Sequence, residues 1–123
     1  MRALVIDDSR AMRSILGQIL KGMGFEVADA VHGRDGLEKL KQLGAPDVML
    51  VDWNMPEMNG YDFLRTVRAD PAYNESRIMM VTTETEMERM IEALSAGANE
   101  YVMKPFTKEV IREKLELMGV LAQ

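Results

Sequence analysis

Four short runs of uninterrupted apolar residues recur along the chain: ALVI at 3–6, VMLV at 48–51, IMMV at 78–81 and YVM at 101–103. A strand with one wet face alternates apolar and polar residues, so continuous runs of this length mark strands covered on both faces. Within one short chain that covering has to come from helices in the connections, and strand–helix–strand connections make the strands parallel. A fifth run, 25–31, mixes Phe25, Val27 and Ala28 with Glu26 and Asp29. Its half-polar pattern suits the edge of the sheet.

The segments between the runs carry the expected helical period. Met12, Ile15, Leu16, Ile19, Leu20 and Met23 fall on one face of a helix that Ser9 caps and Gly24 stops. Leu37, Leu40 and Leu43 predict a second helix ending at Gly44, and Phe63, Leu64 and Val67 a third opened by Asn59 or Gly60. Thr85 and Glu88 have the spacing of a capping box for a fourth, with Met87, Met90, Ile91 and Leu94 on one face and Gly97 at its end. The fifth starts near Thr107, carries Val110, Ile111, Leu115 and Met118, and is expected to run almost to Gln123.

Five strand-then-helix units suggest an α/β, doubly wound five-stranded parallel sheet flanked by five helices. The order 2-1-3-4-5 satisfies right-handed crossovers and sends the half-polar second strand to the edge. The 123 residues, 47% hydrophobic and 28% charged, suit one domain spanning 1–123, with no room for a second. With no Cys there are no disulfides or thiolate ligands, and a reducing, cytoplasmic setting is expected. No stretch has the roughly 18 apolar residues of a membrane span. A net charge of −5 argues against nucleic acid as a partner. The 12 Met residues fall mostly at core positions, where the flexible thioether fills gaps. His32, the only His, reads as a surface turn residue.

In a parallel sheet all the strand ends share one rim. Asp7 and Asp8 follow the first run, Asp52 the third, Thr82 the fourth and Lys104 the fifth. Adjacent strands lie about 4.8 Å apart, so Asp7 or Asp8 meets Asp52 at the crevice where the strand order reverses. Carboxylates gathered there repel, by about 4 kcal/mol for a pair 4 Å apart at an effective dielectric of 20. Something positive is needed. Lys104 is one candidate, and an all-oxygen site suits Mg²⁺. An acidic metal site beside a single strand-end Asp, a hydroxyl and a Lys points to phosphoryl transfer, with a carboxylate as nucleophile.

These residues, with MPEMNG after the central Asp and AGANEYVMKPF near the end, resemble the response-regulator receiver domain, of flavodoxin-like fold, and most closely its single-domain CheY-like chemotaxis type. The resemblance covers the whole chain. It implies that Asp52 accepts a phosphoryl group from a histidine kinase and that Asp8, Asp52 and the Asn54 carbonyl hold Mg²⁺, with Asp7 completing the site through a water. It implies too that Lys104 pairs with the phosphoryl, that Thr82 and Tyr101 are the switch pair, the hydroxyl moving toward the phosphoryl and the ring turning inward, and that the Lys104–Pro105 bond is cis. Asn54 and Glu84 stand where the family tunes dephosphorylation. Thr83 adds a second hydroxyl beside Thr82, although the spacing to Lys104 favours Thr82.

The implied protein is a monomer that switches to bind a target, the flagellar motor switch or another protein, with a phosphatase as a further partner and neither nucleic acid nor membrane. It is a phosphoacceptor with self-catalysed chemistry, not an enzyme. An intermediate receiver in a multi-step relay is the alternative. A haloacid-dehalogenase-type phosphatase would have Asp two residues after the nucleophile, where Asn54 stands, and a flavodoxin-like electron carrier would have a hydroxyl- and Gly-rich loop in place of DDSRAMR.

Overall fold

In the computed structural model, which describes residues 1–84 and 86–122, each apolar run is a strand. These are β1 (Arg2–Ile6), β2 (Glu26–Ala30), β3 (Val48–Val51), β4 (Arg77–Thr82) and β5 (Glu100–Met103). All pair in parallel, in the order β2-β1-β3-β4-β5. The register aligns Ile6 with both Ala30 and Val51, Val51 with Met80, and Thr82 with Met103, so the carboxyl ends of the strands form one rim. The connections are α1 (Arg10–Gly22), α2 (Gly33–Leu43), α3 (Gly60–Arg68), a single 3₁₀ turn at Pro71–Tyr73, and α4 (Met87–Ser95), with α5 (Lys108–Leu117) following the last strand.

Because successive side chains of a strand point to opposite faces, the same runs build two cores. Leu4, Ile6, Met49, Val51, Ile78 and Met80 meet Leu40 of α2, Phe63, Leu64 and Val67 of α3, and Ala93 of α4. Ala3, Val5, Val48, Leu50, Met79, Val81 and Val102 meet Leu16 and Leu20 of α1 and Ile111 and Leu115 of α5. Burial of each large side chain contributes about 1.5–3 kcal/mol. Met49, Met79 and Met80 are core residues as expected, whereas Met87 is 72% and Met103 46% exposed.

Ser9, Asn59 and Thr107 cap α1, α3 and α5, accepting the amides of Met12, Asp62 and Val110 at 3.2, 2.8 and 3.2 Å. His32 stands in the turn before α2, where its Nδ1 accepts the Asp35 amide at 3.2 Å and caps the helix. Two expectations change. The N-cap of α4 is Glu86, with no side-chain hydrogen bond, and the Thr85 of the expected capping box lies outside the described residues. Helix α5 stops at Leu117 rather than near Gln123, which also lies outside the described residues. Gly119, at φ +78°, turns the chain, and the amide of Val120 donates back to the Leu115 carbonyl at 3.0 Å. Val120 is thereby buried against the core that a continuing helix would have carried it past. No described helix is long and apolar enough to cross a membrane.

Candidate functional site

Each residue just past a strand end is still held by the sheet. The Asp7 amide donates to the Ala30 carbonyl at 3.2 Å, the Asp52 amide to Ile6 at 3.0 Å and the Lys104 amide to Thr82 at 2.9 Å. The side chains therefore leave the rim from fixed backbone. On the far side of Asp52 the chain doubles back so closely that the Gly60 amide donates to the Trp53 carbonyl at 2.8 Å. A Cβ on Gly60 would collide with the Asp52 carbonyl oxygen, so this turn requires glycine.

Carboxylate oxygens of Asp7, Asp8 and Asp52 lie within 4.8 Å of one another. Asp7 is 1% and Asp52 7% exposed, while Asp8 faces solvent. Lys104 enters from β5 and sets its Nζ 2.8 Å from Asp7 Oδ2 and 3.4 Å from Asp52 Oδ2. The other oxygen of Asp7 accepts the Ser9 amide at 2.9 Å. One cation thus serves two buried anions, with a third at the mouth. Burial pushes the Asp52 carboxyl above its ordinary range, and Asp7 adds repulsion; the Thr82 hydroxyl, Lys104 and the Asn54 amide act in the opposite direction.

The sequence-expected residues meet as the strand order requires, with distinctions that only the structure makes. Thr82 is buried at the rim and Thr83 is exposed, so Thr82 is the hydroxyl that faces Asp52. Its Oγ1 accepts the Glu84 amide at 3.1 Å. The exposed Asn54 follows Asp52 with its amide 3.4 Å from Asp52 Oδ1. Tyr101, expected to turn inward on switching, is inward already, packed in the core with its hydroxyl donating to the Glu84 carbonyl at 2.8 Å. Burial first, then Glu84 and Asp52, push its phenol up to about 12. The Lys104–Pro105 bond is cis.

Two features of the site escape sequence reasoning. Arg13 of α1 donates to the Asp7 carbonyl at 2.8 Å and pairs with Asp29 of β2 at 3.1 Å, bracing the acidic rim from behind. Trp53 stacks on Tyr61, ring centroids 5.3 Å apart, and carries the Arg89 guanidinium of α4 on its ring at 5.7 Å. Neither contact follows from spacing, because each joins segments whose approach is tertiary.

Chemically, the rim offers a cluster of hard oxygen donors with too little positive charge of its own. Oxygen donors, one of them solvent-facing, fit Mg²⁺, which retains waters and brings phosphate oxygens with it. A buried carboxylate beside a lysine and a hydroxyl is a set of groups whose chemistry suits phosphoryl transfer.

A doubly wound 2-1-3-4-5 sheet with an acidic pocket at its switch point, flanked by Thr and Lys, defines the class, and the model of the response regulator receiver domain matches residues 3–116: the chain belongs to that family. Receiver domains bind Mg²⁺ through such an Asp cluster, and the family is not a classical enzyme family. Within it the likeness is to CheY-like chemotaxis response regulators. The chain is 47% identical over 119 residues to chemotaxis protein CheY1 of Helicobacter pylori, covering 96% of each. It is 44% identical over 117 residues to the chemotaxis protein CheY of Pseudomonas aeruginosa, covering 94% of each. The crystal structure of chemotaxis protein CheY4 of Vibrio cholerae superposes with a TM-score of 0.88 at 35% identity, over 95% of this chain and 97% of that one.

Proposed function

We propose that residues 1–123 act as a receiver of a cytoplasmic two-component system, phosphorylated on Asp52 by a histidine kinase and signalling to the flagellar motor switch. What carries the reading is one piece of geometry: Asp52, Asp7 and Asp8 share a crevice with Lys104, whose Nζ is 3.4 Å from Asp52. Asp8, Asp52 and the Asn54 carbonyl would hold Mg²⁺, with Asp7 behind a water, and the ion when bound supplies charge neutralisation to the phosphoryl oxygens.

An Asp52 carboxylate oxygen attacks the phosphorus of a phosphohistidine. The new P–O bond forms as the P–N bond breaks, and its electron pair stays with the imidazole nitrogen. Lys104, already between Asp7 and Asp52, exchanges a carboxylate for a phosphoryl oxygen, and Thr82 donates its hydroxyl to another. As Thr82 moves toward the phosphoryl it pulls on Glu84, whose amide donates to its Oγ1 and whose carbonyl accepts the Tyr101 hydroxyl, so the movement reaches the ring through Glu84. The readout is the face of α4, β5 and α5, where Met87, Ile91, Leu94, Met103 and Val110 are exposed apolar side chains. Water entering past Asn54 and Glu84 ends the signal, and a phosphatase would act at the same place.

Acetyl phosphate with Mg²⁺ should add one phosphoryl group to the wild type and none to Asp52→Asn, read by intact mass. Thr82→Ala should still be phosphorylated but lose most of the fluoroberyllate-dependent gain in affinity for a motor-switch protein. Equal labelling of wild type and Asp52→Asn would overturn the site, and an undiminished gain in Thr82→Ala would overturn the switch.

A further inference from the structure

The loop from Trp53 to Asn59 carries the metal-site candidate Asn54, and its course is set from outside the crevice. Its near end is pinned by the Gly60 amide on the Trp53 carbonyl, 2.8 Å away. At its tip stands Glu57, the single non-glycine residue with positive φ among those described, at 66°. A side chain with a Cβ adopts that left-handed conformation only at a cost, so neighbouring contacts must hold it.

They come from α2. His32 Nε2 lies 3.0 Å from Glu57 Oε2. The ring is fixed on its other side, because Nδ1 accepts the Asp35 amide at 3.2 Å. An accepting Nδ1 leaves the ring proton on Nε2, which therefore donates to the Glu57 carboxylate. The next residue brings backbone to loop: a Cβ on Gly33 would meet Met58 Cγ at 2.9 Å and the Met58 carbonyl oxygen at 3.0 Å. The start of α2 and the tip of the loop are thus in contact through one hydrogen bond and one glycine. Neither His32 nor Glu57 touches the carboxylate cluster.

We propose that His32 and Glu57 form a clasp that positions the loop after Asp52, holding the Asn54 carbonyl where the metal site needs it. Both are positioning residues, acting through Asn54. The inference rests on the Mg²⁺ reading proposed for this site. It assigns α2, which contributes nothing to the crevice directly, the task of presetting a ligand there.

His32→Asn keeps an efficient helix cap but ends about where Nδ1 stands, so it cannot reach Glu57. Glu57→Gly removes the clasp and relieves the left-handed backbone. With Mg²⁺ alone titrated against Trp53 fluorescence, both variants should bind roughly tenfold more weakly, as expected for loss of an outer partner of a metal ligand. Glu57→Gly should do so without loss of stability to urea, which separates positioning from folding. Glu57→Gln, whose amide oxygen still accepts the Nε2 proton, should bind close to the wild type. The double variant His32→Asn with Glu57→Gly should be no weaker than either single one, since the two residues make one contact. Wild-type affinity in both single variants, or losses that multiply in the double one, would overturn the clasp while leaving the metal site standing. A wild type with no Mg²⁺ response would overturn the metal reading and this inference with it.

Discussion

At the scale of single residues, Asp52 shows the tension between folding and chemistry. Burial, with Asp7 close by, raises its carboxyl above the ordinary 3.8. In the unfolded chain the group ionises near that ordinary value, so between the two values the folded state holds the proton that the unfolded state has lost. Stability therefore falls as pH rises through the window, and the full cost is present above the folded value. Asp52→Asn should thus be more stable than the wild type at pH 7, on the order of 1 kcal/mol as is usual for a single site. At pH 3 the advantage should largely vanish. Urea unfolding at both pH values checks this, and a variant less stable at pH 7 than the wild type would mean that Lys104 outweighs burial. The other side of the tension is functional: an uncompensated carboxylate cluster is what makes a cation welcome.

At the scale of elements, α4 is the least anchored helix. Ala93 is its only fully buried residue, its N-cap makes no side-chain hydrogen bond, and Met87, Ile91 and Leu94 face solvent. By contrast α3 buries Gly60, Phe63, Leu64 and Val67 and is capped by Asn59. Local opening free energy follows buried contacts and capping. Native-state amide exchange should therefore be fastest in α4 and slow in α3, and protection of α4 equal to that of α3 would contradict this ranking. A helix held so lightly, yet tied to the loop after Asp52 through Arg89 on Trp53, is suited to move with events at the rim. The periodicity of Met87, Met90, Ile91 and Leu94 marked the helix correctly, but in a globular domain such a stripe normally faces the core. Here only Met90 packs against it, because the sheet face is already filled by Tyr101 and α3. Sequence periodicity reports which residues share a face and leaves open what that face meets.

At the scale of the whole molecule, Arg68 is the clearest case of tertiary control. From the end of α3 it donates to the carbonyls of Gly97, Tyr73 and Ser76, at 2.9, 2.9 and 2.8 Å, and to Asn99 Oδ1 at 3.0 Å. Burial, with Arg77 nearby, lowers its pKa, and the acceptors come from two connections, those leading into the amino ends of β4 and β5. Arg68→Lys keeps the charge but cannot form the planar fork, leaving carbonyls unpaired. A loss of about 3 kcal/mol is expected from two or more hydrogen bonds to a charged group, measured by urea unfolding. A loss under about 0.5 kcal/mol, the size of an ordinary surface change, would show that water replaces the fork. What the sequence determined alone was whatever depends on local pattern and chain order. Continuous apolar runs require a covered parallel sheet, five such units favour one strand order, and that order brings residues 7, 8, 52, 82 and 104 to one rim. What only the tertiary structure decided were the contacts between loops and helix ends remote in the chain: Arg68 on Gly97, Arg13 on Asp29, His32 on Glu57, and the early end of α5. Those depend on where one segment lies relative to another to within an ångström or two. Hydrophobic pattern specifies a face and a period, whereas a hydrogen bond exists only at a particular distance and angle, set by the packing of everything between its partners.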